Sequence, residues 1–274
     1  RTDLPDASRR PHFFRNMVHA CQQMTGLQVT HMDYPGGTDR SAYRLQLENG
    51  QTLFASCRFD PARARLEAFV LSQLSGFDTP VPGIIGFNGL LLLQEALPGE
   101  RLSKALHNSS PQRFRTLIGH AADSLLAIYP HADQRQLELQ TPLLGAHYNW
   151  FKILTNLPAI IGILLSVPCP KPDLDSLYDI LLPLSPQYVK WDARPGNGLL
   201  DEQDQVRWFD WEHCGARNRL DDLVWLLCDE SVPDYPYQEQ SILEHYLPLF
   251  GNGRPYDDAL RYCRVMGSCI FACA

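Results

Sequence analysis

Two patterns of apolar positions divide the chain near residue 98. Before it, apolar residues alternate or form short runs; after it, they recur mainly at helical spacing. His12–Met24 reads as a helix, with Phe13, Met17, Ala20 and Met24 near helical spacing and Gly26 closing it. Strands are expected at Leu27–Tyr34, Ala42–Leu47 and Thr52–Phe59, the last two joined by the Asn49-Gly50 turn. Asp60-Pro61 pairs an N-cap with a first-turn proline and opens a helix to about Ser75, ended by Gly76. Its apolar stripe is Leu66, Phe69, Val70 and Leu74, with Glu67 at the border. Thr79-Pro80-Val81-Pro82 breaks the chain, and Gly83–Phe87 and Leu90–Glu95 are the next strands. Ser110-Pro111 starts a long helix with Phe114, Leu117, Ile118, Ala121, Leu125 and Tyr129 on one face. Residues 141–183 hold two or three more helices. Among them Leu157–Val167, the most apolar stretch, is too short to span a bilayer and reads as a buried helix.

The stretch Tyr188–Glu212 breaks this pattern and carries the chemistry. Short apolar runs at Gln187–Lys190 and Val206–Phe209 read as strands, and Gly198–Leu200 leads into a polar turn at 201–204, a hairpin signal. Asp192 and Asn197 stand five residues apart, and Asp210 lies beyond the hairpin. Side-chain oxygens in such a set can hold Mg²⁺ on nucleotide phosphates, while another carboxylate orients and deprotonates a hydroxyl. Singly, DARPGN is a Pro-Gly turn and FDW a strand end; in this order and spacing they favour a site. Pro195-Gly196 forces a tight loop that turns Asp192 and Asn197 into one space.

KWDARPGNGLL followed by WFDWEHCG resembles the catalytic and metal-binding loops of the aminoglycoside phosphotransferase and choline kinase group. The resemblance implies a two-lobe, protein-kinase-like α+β fold. Its small lobe, 1–98, is an antiparallel sheet with one long helix, and its mainly helical lobe is 99–274. It implies Asp192 as the catalytic residue that accepts or orients the hydroxyl proton, Asn197 and Asp210 as Mg²⁺ ligands, and Glu212 as a support to the metal. Asp222 would brace the catalytic loop by accepting backbone hydrogen bonds, although it also serves as a helix-start residue. The chain departs from the group at Lys190 and Trp191, where His and Gly are usual.

Upstream, PGGTDRSAYRL resembles the group's phosphate-covering loop, with Gly36 and Gly37 able to approach a phosphate without a Cβ clash. A glycine pair in a hairpin is equally an ordinary turn. The ALPGERL stretch after Leu90–Glu95 resembles the hinge, where backbone groups of Glu95 to Leu97 would meet an adenine edge. The strand Thr52–Phe59 lacks the lysine that normally pairs with phosphates and with a helix glutamate. Depending on register, Cys57, Ser56 or Arg58 takes its place; Arg58 supplies a charge, as a wide fork rather than a point. Glu67 then pairs with Arg58 or faces solvent. The helical insertions would shape a second-substrate pocket, with Tyr148, Trp150, Phe151 and Asp173 or Asp175 as candidate linings, although core packing also accounts for the aromatics.

Composition adds few constraints. The 274 residues suit one large domain or two lobes, and 45% hydrophobic with 20% charged residues is ordinary for a soluble globular protein. A formal net charge of −7 argues against nucleic acid as partner. Eight cysteines form no CxxC pair and read as reduced core thiols of a cytoplasmic protein. No signal peptide or membrane span is visible; an Arg1 start and an apolar end are what trimming would leave. The expected activity is transfer of the ATP γ-phosphoryl group to a hydroxyl of a small molecule. The alternative is a pseudokinase, a nucleotide-binding or scaffold module with impaired catalysis.

Overall fold

Strand alternation builds the first part of the computed structural model, which describes residues 10–35, 42–58, 60–145, 156, 160, 162–168, 173–182 and 185–271. Five antiparallel strands, β1 (Val29–Asp33), β2 (Ala42–Leu47), β3 (Thr52–Cys57), β4 (Ile84–Phe87) and β5 (Leu91–Glu95), lie in the order β1-β2-β3-β5-β4. In β2, Tyr43, Leu45 and Leu47 are buried while Arg44 and Gln46 face solvent. In β3, Leu53, Ala55 and Cys57 turn to the same cluster, which α1 (Arg10–Thr25) closes with Met17 and Cys21. Burying each large side chain there contributes roughly 1.5–3 kcal/mol. The strands at Leu27–Tyr34 and Thr52–Phe59 are shorter than expected: β1 starts two residues later, and β3 stops at Cys57, leaving Arg58 just past the strand. Phe59 lies outside the described residues.

Helix α2 (Pro61–Leu74) begins where Asp60 accepts the Ala62 N–H at 2.8 Å. Its buried face is Ala64, Glu67, Ala68, Val70, Leu71 and Leu74. Leu66 and Phe69 are only half-buried, so the stripe is rotated toward Glu67, which is fully buried. A carboxylate can centre a buried face only if it is paired, and its partner is described below.

The chain divides into two compact units, Arg1–Pro98 with Asp210–Glu212 and Gly99–Phe209 with His213–Ala274. In the second, α3 (Leu102–His107) leads to α4 (Pro111–Gln134), which is capped by Ser110, whose hydroxyl accepts the Arg113 N–H, and whose face from Phe114 to Tyr129 is buried as its spacing predicts. β7 (Gln187–Val189) pairs with β10 (Gly215–Arg217); β6 (Glu100–Arg101), β8 (Gly198–Leu200) and β9 (Val206–Trp208) form a second small sheet. Gly99, at φ +113°, is required there: a Cβ would sit 2.2 Å from the Leu200 carbonyl oxygen. Helices Leu220–Leu227, Pro236–Phe250 and Tyr256–Phe271 complete the unit. The buried Arg217–Asp221 pair at 2.7 Å ties β10 to the first of these helices, and the Tyr262 hydroxyl, donating to Asp221 at 2.6 Å, ties in the last.

One expectation fails here. In Leu157–Val167 the described residues other than Gly162 are exposed: Ile163 is 78% and Leu164 77% accessible. An apolar run shows that a segment gains by burial, not that a surface exists to receive it. Among the described residues no helix is long and apolar enough to cross a membrane.

Candidate active site

The loop after β7 is set by one buried carboxylate. Asp222, in the first turn of helix Leu220–Leu227, accepts the Lys190 N–H at 2.8 Å on one oxygen and the Trp191 N–H at 2.7 Å on the other. The Tyr129 hydroxyl donates to it at 3.0 Å. Burial pushes the Asp222 carboxyl up to about 6, against the pull of these donors. With two successive N–H groups held, Trp191 and Asp192 both adopt φ near +51°. Left-handed conformations of non-glycine residues cost on the order of 1–3 kcal/mol each and persist where surroundings over-determine them.

Asp192 emerges from this turn almost buried. The Asn197 amide nitrogen donates to its backbone oxygen at 3.0 Å and to Oδ2 at 2.8 Å, and Arg194 Nε lies 3.0 Å from Oδ1. A single 3-10 turn, Pro195–Asn197, brings Asn197 back, and the Phe209 N–H donates to its carbonyl at 3.1 Å. Arg101 donates to the Gly196 carbonyl. With its nitrogen committed, the Asn197 amide has its orientation fixed, and among the described residues Oδ1 accepts no hydrogen bond. Lys190 is buried; its ammonium donates to the Asp192 carbonyl at 3.4 Å and sits 5.7 Å over the Trp208 ring.

The first unit holds the other charged cluster. Arg58 Nε and Nη2 grip Glu67 at 2.9 and 3.2 Å, Nη2 also meets Asp210 Oδ1 at 2.5 Å, and Nη1 meets Glu212 Oε1 at 2.9 Å. Glu67 also accepts the Trp211 N–H at 3.2 Å, which ties Asp210–Glu212 to α2. Burial opposes the Arg58 charge, but the three carboxylates outweigh it and raise its pKa; Glu212 is itself pushed up, by burial first. Asp210 adopts φ +63°, the same left-handed region as Asp192. Arg58 is thus the centre of a part-buried ion-pair cluster. Cys57 belongs to the apolar cluster, and the Ser56 hydroxyl accepts from the Gln94 amide at 3.4 Å.

Of the expected nucleotide contacts, Gly36 and Gly37 lie outside the described residues, as do Tyr148, Trp150 and Phe151. Glu95 ends β5, its N–H on the Gly83 carbonyl at 2.8 Å and its carboxylate accepting the Gly83 N–H at 3.1 Å. Leu97 follows, and among the described residues neither its N–H nor its carbonyl has a backbone partner. Asp173 caps helix Leu174–Leu181, and Asp175 is exposed in its first turn. Sequence reading missed Tyr129 as a polar partner of Asp222; the one hydroxyl on an otherwise apolar stripe was the available signal. Among the described residues no three acidic, histidine or cysteine side chains converge as a preformed metal cage. Mg²⁺ takes hard oxygen donors, few of them from protein, and keeps several waters; the Asn197 amide oxygen in the second unit and the Asp210 carboxylate in the first are donors of that kind.

An antiparallel-sheet unit, a mainly helical unit and a braced Asp-loop-Asn define a protein of the kinase-like fold. Solved structures share it. Aminoglycoside-3'-phosphotransferase of type VIII is 19% identical, with 94% of this chain and 99% of that chain covered at a TM-score of 0.58. Amicoumacin kinase hAmiN, solved with AMP-PNP and Ca²⁺, is 15% identical over 94% and 86% at 0.61. Macrolide 2'-phosphotransferase MphH from Brachybacterium faecium is 17% identical over 93% and 89% at 0.56. No curated protein matches the chain. The model of the phosphotransferase enzyme family matches residues 32–256, and the chain belongs to that family.

Proposed function

We propose that the protein transfers the γ-phosphoryl group of ATP to a hydroxyl of a small molecule. The observation that carries this reading is the Asp192 loop, where Asp222 and Asn197 hold a carboxylate in a strained, fixed orientation. Asp192 orients the acceptor hydroxyl and takes its proton as the oxygen attacks phosphorus; the β–γ bridging oxygen leaves with ADP. Asn197 and Asp210 would hold Mg²⁺, which when bound would neutralise phosphate charge, and Glu212 would support it. Gly36 and Gly37 cover the phosphates, Arg58 takes the place of the missing lysine with Glu67 behind it, and backbone groups of Glu95 and Leu97 meet the adenine. The chemistry of the relatives, an aminoglycoside phosphotransferase and an amicoumacin kinase among them, supports a small hydroxyl-bearing acceptor. The thiols of Cys21, Cys57, Cys228 and Cys263 form no disulfide, in keeping with a reducing cytoplasm.

The test is label transfer from γ-labelled ATP to a panel of hydroxyl compounds by wild type and Asp192→Asn. Transfer by wild type that the variant retains would remove Asp192 from the reaction. One observation favours the second reading, a pseudokinase: Arg58 occupies the Asp210 oxygen that a metal would use. Mg-dependent ATP binding without transfer to any compound of the panel would favour it.

A further inference from the structure

Three carboxylates, those of Glu67, Asp210 and Glu212, surround the one Arg58 guanidinium, with Arg63 4.0 Å from Glu212 at the rim, so the acids still outnumber the cations. Every nitrogen of the fork is committed, and the Arg58 side chain is only 12% accessible. Two of its bonds, from Nη2 to Asp210 and from Nη1 to Glu212, engage the very carboxylates that the phosphotransferase reading gives to the metal. The other two, to Glu67, anchor the fork to α2 and leave it in place whatever happens at Asp210. A lysine ammonium, a point charge on a single stem, cannot span the three acids in this way.

Resting on that reading, we propose that Arg58 is a positioning residue that withholds Asp210 and Glu212 from a divalent cation until a nucleotide arrives. A cation entering alone would share carboxylate oxygens with a guanidinium that has no other partner to turn to. A triphosphate supplies that partner: Nη1 and Nη2 exchange the two acids for phosphate oxygens while the Glu67 anchor stays. Metal and nucleotide binding are thereby coupled, and the coupling is reciprocal.

Mn²⁺, counted by the paramagnetic signal of the free ion, tests this on the full chain with and without ATP. Wild type should bind Mn²⁺ alone weakly and at least tenfold more tightly with ATP. Arg58→Met should bind Mn²⁺ alone at least tenfold more tightly than wild type, and ATP less tightly. Arg58→Lys should fall between them, because its ammonium reaches Glu67 but releases at least one other acid; it decides the matter if the Met variant does not fold. A purely structural Arg58 would make metal affinity fall or stay level in both variants, and that result overturns the proposal. So does a wild type that binds Mn²⁺ equally with and without ATP. A wild type that binds no ATP under any condition contradicts the phosphotransferase reading and takes the gate down with it.

Discussion

The Asp192 loop and the Arg58 cluster both keep charge away from water, by opposite means. In the loop the supports are two backbone N–H groups held by Asp222 and the Asn197 amide on Asp192, with the half-exposed Arg194 as an opposite charge. Such bonds are short, directional and set by chain geometry, so the loop has one arrangement. In the cluster the supports are side chains of opposite charge, and a guanidinium can trade one oxygen for another of equal charge. Under the proposed function, the first part would serve orientation and the second exchange: a base must be aimed before its substrate arrives, whereas groups that meet a metal and a triphosphate must change partners.

Substitutions that break each part should therefore fail differently. The largest effect is expected in the loop. Asp192→Ala should lower turnover by ~10²–10⁴, the usual worth of a positioned base, with Mg-ATP affinity nearly unchanged; steady-state kinetics beside calorimetry separates the two. Turnover above half that of wild type would contradict the role. Next comes Asp210→Ala, which should weaken Mg-ATP binding by on the order of tenfold, or ~1.4 kcal/mol, while ATP affinity in chelator stays level. Equal weakening in both conditions would show that Asp210 acts without metal.

Asp222→Asn should come third. An amide presents one oxygen where the carboxylate presents two, so one loop N–H loses its acceptor at a cost of about 1–3 kcal/mol. The loss depends on pH. The Asp222 carboxyl rises from 3.8 to about 6 in the folded state. Between these values the native protein keeps a proton that the unfolded chain has released, so this group's contribution to stability falls as pH rises through the window. Urea melts at pH 4 and pH 7 should find the wild-type advantage over Asn larger at pH 4; a gap that widens toward pH 7 would contradict the assignment. The smallest effect is Asp60→Ala, which removes the α2 cap and should cost about 1 kcal/mol.

The same contrast explains what the sequence disclosed. The loop was legible because backbone turns leave residue signatures: Asp192, Pro195-Gly196 and Asn197 are fixed by spacing, and Asp222 by the helix it begins. The β2 alternation and the α4 stripe were legible because burial on one face imposes a period. The cluster was only half legible. Its members are 154 residues apart at the extreme, Arg58 to Glu212, and no local pattern joins them. Whether Cys57, Ser56 or Arg58 met Glu67 depended on where β3 ended. Alternation excludes Cys57, which faces the apolar cluster, and leaves Ser56 and Arg58 on the other face; Arg58 takes Glu67, while the Ser56 hydroxyl accepts from Gln94. The exposed Ile163 and Leu164 were misread because hydrophobicity carries no information about a receiving surface.

The central claim, that this fold carries a metal-dependent nucleotide site, is tested most directly by thermal melting in saturating ATP with Mg²⁺ or with chelator. A ligand at a hundred times its dissociation constant adds about 2.7 kcal/mol, and at about 2–4 °C per kcal/mol a chain of this size should melt roughly 5–10 °C higher. The shift should appear with Mg²⁺ and largely vanish in chelator. A melting temperature that ATP leaves unchanged in both conditions would contradict the claim.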